Sequence, residues 1–203
     1  MPAPDCRDVS RPRITTHPVA DTDTGHLTEF LYDDGGNEGT LVCAGHAGDV
    51  EPGTGEQAVE LATRLGATCW ACFGYDDRGA FEAFHPPSSG ISPAEYPLLG
   101  RIADRGFARV VSLHGLGSEG VLVGGGIDEA VKKRVRDRLA GALTADVETV
   151  SSGQYAGTSP ENFVNWLAAD GGGLQLELCE RARIVESDAV LDVLAGATRD
   201  GTL

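Results

Sequence analysis

Lysine is nearly missing from this chain. Only two of its 203 residues, Lys132 and Lys133, are lysine, and 31 Asp and Glu stand against 16 Lys and Arg for a net charge of -15. So acidic a surface repels phosphate backbones, which argues against a nucleic-acid binder. An excess of acid with almost no lysine is also the composition expected of a halophilic protein, one that works in concentrated salt where screening quiets self-repulsion. No apolar run is long enough to span a bilayer, so no membrane segment is expected. The opening stretch, MPAPDCRDVSRPRITTHPV, lacks an apolar centre and consecutive arginines. It does not read as a signal peptide, and a cytoplasmic location is the expectation. The five cysteines are an odd number, which suits free thiols in a reducing compartment better than a disulfide framework.

What is present is an alternation of short apolar runs and amphipathic stretches. Residues 1–25 are polar and carry four prolines, and read as a poorly ordered or surface-draped arm. Residues 26–203 read as one α/β domain, without internal repeat or linker. His26 to Tyr32 suits a short strand or helical turn, and residues 33–37 a turn. Strands are expected at Thr40–Ala44, Thr68–Tyr75, Phe107–Leu113, Val121–Val123, Asp146–Ser151 and Leu174–Leu178. Helices are expected at Glu56–Leu65 with Gly66 as its stop, at Asp128–Leu143, from Pro160 to Ala169, and at Ser187–Ala195 with Gly196 as its stop. Residues 94–105 read as a helix interrupted near Pro97, and residues 83–90 as a loop. Strands alternating with helices predict a mixed, mostly parallel sheet with helices on both faces.

The chemistry gathers in three stretches. Thr40 to Glu56, TLVCAGHAGDVEPGTGE, starts as an apolar strand, breaks at Gly45 and delivers His46 and Glu51 on a Gly/Pro-rich loop. Ser112-Leu113-His114-Gly115 ends a second strand in an imidazole. Leu174-Gln175-Leu176-Glu177-Leu178 carries a second glutamate on a third. Loops beyond the carboxyl ends of strands are where open α/β sheets place their sites. Two histidines and a carboxylate suffice for a catalytic zinc with an open fourth position, where water is acidified and a further carboxylate takes its proton. Cys69-Trp70-Ala71-Cys72 imitates a redox or metal pair, but both cysteines lie inside an apolar run and read as buried structural thiols. Gly124-Gly125-Gly126 lacks the spacing of a phosphate-binding loop and reads as a flexible loop beside the site.

HAGDVEPGTGE, SLHG, PENFVN and GLQLEL, in this order, resemble the phage-type poly-γ-glutamate hydrolase family, itself similar to the zinc carboxypeptidases in fold and site. The resemblance spans about Thr40 to Arg183. It implies a zinc carboxypeptidase-like (phosphorylase/hydrolase-like) fold, one Zn2+ per chain on His46, Glu51 and His114, and Glu177 as general base and acid. The substrate it implies is an anionic γ-glutamyl peptide. Asn162 and Asn165, three apart on one helix face, are candidates to bind it, as is His85 in its Pro-rich loop. A free carboxylate on every substrate residue calls for basic groups along the groove, for which Arg181 and Arg183 are candidates. The chain departs from the pattern at Ala47, where a second small glycine-like residue is expected, and over residues 179–183. Its ligand spacing is His-x4-Glu, unlike the His-x-x-Glu of ordinary carboxypeptidases. Two other readings stand beside this one: a zinc-dependent deacylase or amidase acting on another small amide, and a metal-binding protein without catalysis.

Overall fold

In the computed structural model, which describes residues 13–33 and 36–203, one eight-stranded sheet organises the chain. The elements run β1 (Arg13–Asp21), β2 (Gly25–Asp33), β3 (Asn37–Gly48), α1 (Thr54–Leu65), β4 (Ala67–Asp76), α2 (Ala80–Phe84), α3 (Pro97–Gly100), β5 (Arg109–Gly115), β6 (Val121–Gly124), α4 (Glu129–Ala142), β7 (Val147–Thr149), α5 (Phe163–Trp166), β8 (Leu174–Leu178) and α6 (Ser187–Arg199). The spatial order is β1-β2-β4-β3-β5-β8-β6-β7. The four central strands β4, β3, β5 and β8 are parallel, and β2 and β6 flank them antiparallel. The mixed, mostly parallel sheet read from the sequence is therefore the one observed.

Alternation along the central strands sends side chains to two cores. Val42 and Ala44 of β3 and Leu174, Leu176 and Leu178 of β8 join Ala58, Leu61, Val135, Leu139, Val190 and Leu194 from α1, α4 and α6 on one face. Leu41, Cys43, Trp70 and Cys72 meet Phe84, Leu98, Leu99 and Phe163 from α2, α3 and α5 on the other. This is the two-period consequence of a sheet covered on both sides. Cys69 and Cys72 fall to opposite faces, both fully buried and free. Burial raises both thiol pKa values, so they are inert packing groups.

Several expectations need correction. Part of the expected arm, Arg13–Asp21, is an edge strand paired with β2, while residues 1–12 lie outside the described residues. Pro18 concealed it, yet an edge strand tolerates proline, and its register slips between Pro18 and Ala20. β3 does not break at Gly45 but runs to Gly48. The two helices expected around Pro97 and after Pro160 shrink to single turns, with Pro97 at the start of α3 and Asn162 capping α5 through Val164 N (3.2 Å). Helix α6 continues through Gly196, whereas Gly66 does stop α1 in the left-handed region (φ 61°). The triple glycine is a close-packed joint, not a flexible loop. A Cβ on Gly124 would meet Ala156 O at 2.6 Å, and one on Gly125 would meet Gly173 O at 2.1 Å.

Candidate active site

Strand order decides where the site forms. From β3 the chain moves through α1 to β4 on one side, then returns to place β5 on the other side of β3. Between the carboxyl ends of β3 and β5 the connections diverge, the position where open α/β sheets leave a crevice. His46 stands near the end of β3 and His114 near the end of β5.

A bulge aims His46. Ala44 pairs with Ala71 but Ala47 pairs with Phe73, so β3 carries one extra residue at Gly45-His46. Ala47 therefore takes the face that His46 would otherwise occupy, and the imidazole turns into the crevice. Gly45 packs closely there, since a Cβ would come within 2.9 Å of Ile91 Cδ1 and displace that side chain. Glu51 follows in the turn between β3 and α1. Its backbone carbonyl accepts from Thr54 N (3.2 Å) and Thr54 Oγ1 (2.8 Å), which fixes the turn at the helix start.

The side chains converge. His46 Nδ1 is 3.3 Å from Glu51 Oε1, and His114 Nδ1 is 3.7 Å from Glu51 Oε2. His46 Nε2 lies 2.8 Å from Pro86 O. A carbonyl only accepts, so Nε2 carries the proton and Nδ1 a lone pair. That lone pair faces a carboxylate, and both His46 Nδ1 and Glu51 Oε2 are buried without hydrogen-bond partners among the described residues. Two buried electron-rich groups pointed at one another are unfavourable unless a cation lies between them. Burial lowers His114 to about 4 against the opposing pull of Glu51, which keeps its ring neutral, the form that ligates metals. Burial pushes Glu51 up, but its contacts with the His46 and His85 rings and the nearness of His114 outweigh it. They hold Glu51 well below the usual carboxylate range. His114 Nε2 is engaged with Ser112 Oγ at 2.9 Å, so each of the two imidazoles is steered by a partner on Nε2, as outer-shell groups steer metal-binding histidines.

His85 joins this group more closely than its place in a Pro-rich loop suggested. His46, Glu51 and His85 offer ligand atoms all within 4.8 Å of one another. Its Nε2 donates to Glu51 Oε1 (3.1 Å), and its ring stacks on Phe81 (centroids 4.1 Å apart, 22° between planes). A nitrogen- and oxygen-donor set of this size suits zinc with an open position.

Glu177 of β8 pairs in register with His114, so it shares that residue's face of the sheet. It is 7% exposed and lines the same cleft of about 700 Å³. Burial, then the charge of Glu51, raises its carboxyl to about 8 against a hydrogen bond from Gln175. Gln175 Nε2 donates to Glu177 Oε1 (2.9 Å), and Asn162 Nδ2 donates to Gln175 Oε1 (2.8 Å). Asn162 thus reaches the site through Gln175, a residue sequence reading passed over although it sits on the same strand face as Glu177.

The remaining substrate-binding candidates lie outside the cleft's lining. Asn165 donates to Gly157 O and Ser159 O and accepts from Gly126 N and Gly173 N, so its amide is committed to tying loops together. Arg183 donates to Pro52 O (2.7 Å), and Arg181 stands 4.0 Å from Glu186. Neither arginine lines the cleft, and no lysine or arginine does so among the described residues.

Comparison with known proteins bears on the fold and the family. Solved structures of similar fold include a bacteriophage poly-gamma-glutamate hydrolase (19% identity, TM-score 0.72, covering 91% of this chain and 94% of that one). They also include the zinc-free apo form of YNDL (19%, 0.67, 98% and 94%). A metallo-carboxypeptidase from Burkholderia cenocepacia shares the fold more distantly (11%, 0.58, 96% of this chain and 66% of that one). No curated protein matches the sequence. Residues 20–188 match the family described as poly-gamma-glutamate hydrolase, and the chain belongs to that family.

Proposed function

We propose that this chain is a zinc-dependent amide hydrolase that cleaves γ-glutamyl bonds, with one zinc held by His46, Glu51 and His114 and with Glu177 as proton carrier. The observation that carries the reading is the pair of unpartnered buried atoms, His46 Nδ1 and Glu51 Oε2, with Glu177 in the same cleft. His114 is preferred to His85 as the third ligand. It is fixed on a central strand with Nε2 engaged, whereas His85 sits at the rim with its Nε2 proton already given to Glu51. In this reading His85 orients the Glu51 carboxylate and borders the substrate.

When bound, zinc would polarise the scissile carbonyl and acidify a water beside it. The chain's own groups do the rest. Glu177, held by Gln175, takes a proton from the attacking water and delivers it to the leaving amine. Its raised carboxyl pKa would be drawn back toward neutrality by a nearby dication, where one group serves as both base and acid. Asn162 holds Gln175 and so limits the directions from which Glu177 can reach the substrate. A carboxylate placed opposite a candidate metal site in a cleft is unnecessary for a protein that only stores metal.

The test is hydrolysis of poly-γ-glutamate by zinc-loaded protein, followed as new amine groups. Chelation should abolish cleavage and zinc should restore it. A folded, zinc-loaded protein that leaves the polymer uncut while cleaving another amide would move the assignment to a different acyl group.

A further inference from the structure

The substrate read above carries one free carboxylate per residue, yet among the described residues no lysine or arginine lines the cleft. Among the described residues the charged lining groups are Glu51 and Glu177 beside His46, His85 and His114; Arg183 abuts Gly115 at the cleft's edge but is held on Pro52 O, and Arg181 stands by Glu186. The walls are neutral instead. Ser88, Ser89, Tyr155 and Thr158 contribute hydroxyls to the lining among the described residues. Phe81, half exposed, and Tyr155 add aromatic surface to the same cleft. Around it lies a chain of net charge -15.

We propose that the cleft recognises the neutral γ-linked backbone, its amides and methylenes, and admits the polymer's carboxylates only when salt or condensed cations screen them. This rests on the γ-glutamyl hydrolase reading and specifies its substrate form. The physical reason is that Glu51 and Glu177 are offset locally by the dication they would face, so the walls and the distant field decide the remaining charge preference. Uncharged hydroxyl and amide donors accept a carboxylate without drawing it in, and the field of an acidic protein pushes a polyanion away. A groove lined by arginine behaves in the opposite sense, losing affinity as salt rises.

The experiment measures KM for poly-γ-glutamate at about 0.1 M and about 1 M KCl, a change that shortens the Debye length from ~10 to ~3 Å. Circular dichroism confirms that the zinc-loaded protein is equally folded at both. A γ-linked oligomer bearing α-carboxamides in place of carboxylates is measured in parallel. KM for the polyanion is expected to fall roughly fivefold or more with salt, while the carboxamide oligomer is cleaved with a KM that shifts by less than about twofold. Ser89→Arg, on the exposed rim, is expected to lower the polyanion's KM at the lower salt. A KM for the polyanion that is flat or rises with salt, a carboxamide oligomer refused while the polyanion is cut, or an unchanged KM in Ser89→Arg overturns the inference. Absence of turnover on both substrates at both salts refutes the hydrolase reading itself.

Discussion

Glu177→Gln separates the catalytic from the structural use of a buried carboxyl, because the two uses predict opposite effects on stability. In the metal-free protein the folded carboxyl titrates at about 8 against an ordinary value of 4.5, raised by burial and by Glu51. Below the ordinary value the proton is bound in both folded and unfolded states, and burial carries no ionic penalty. Between the two values unfolding releases the proton, so stability falls as pH rises. Above about 8 the full penalty is present. A shift of this size corresponds to roughly 3–5 kcal/mol. The Gln side chain keeps an acceptor for Gln175 and removes the charge. Denaturant unfolding of metal-free protein should therefore show wild type and Glu177→Gln equal near pH 4.5, with the variant more stable by about 3 kcal/mol at pH 9. With zinc bound the gap should narrow, because a cation supplies the carboxylate with a partner. The same variant should hold zinc and lose ~10²-fold or more in kcat. A variant that is less stable than wild type at pH 9, or that cleaves at the wild-type rate, would refute this account of Glu177.

Three further outcomes follow from the same geometry. Gln175→Leu and Asn162→Ala should leave zinc content intact and lower kcat by roughly tenfold, since they loosen the group that moves the proton; unchanged kcat in both would sever Asn162 from catalysis. Asn165→Ala strands four backbone groups and should cost about 2–3 kcal/mol in unfolding measurements without changing turnover per folded molecule; a kcat effect with unchanged stability would restore Asn165 to the substrate site. The high-salt reading rests on composition alone and predicts a Tm that climbs with KCl to about 2 M, well past the range in which screening changes; a flat Tm contradicts it.

The central strands were legible because they are apolar and bounded by turn residues, and because their alternation survives into the structure. Leu174, Leu176 and Leu178 do pack on one face and Gln175 and Glu177 on the other. Glu51 and His114 were legible as polar residues placed where strands end. Helix α1 was legible from its apolar stripe and Gly66. What the sequence concealed was long-range. The bulge that turns His46 into the crevice depends on the register against β4, and β1 depends on β2 to pair its polar residues. The arrival of His85 beside Glu51 depends on where α2 packs, and nothing near residue 85 announces it. Asn162 and Asn165 share a composition and a spacing, yet one supports Gln175 and the other ties backbone loops. Only the neighbours on other elements separate them. The basic groove inferred from substrate chemistry is absent from the cleft among the described residues because Arg183 spends its guanidinium on the turn carrying Glu51.

The most direct test is anomalous diffraction at the zinc edge from crystals of the zinc-loaded protein. A single peak per chain bounded by His46 Nδ1, the Glu51 carboxylate and His114 Nδ1, with Glu177 facing its open side, is the predicted result. A peak ligated by His85 in place of His114, or zinc bound away from His46 and Glu51, would contradict it.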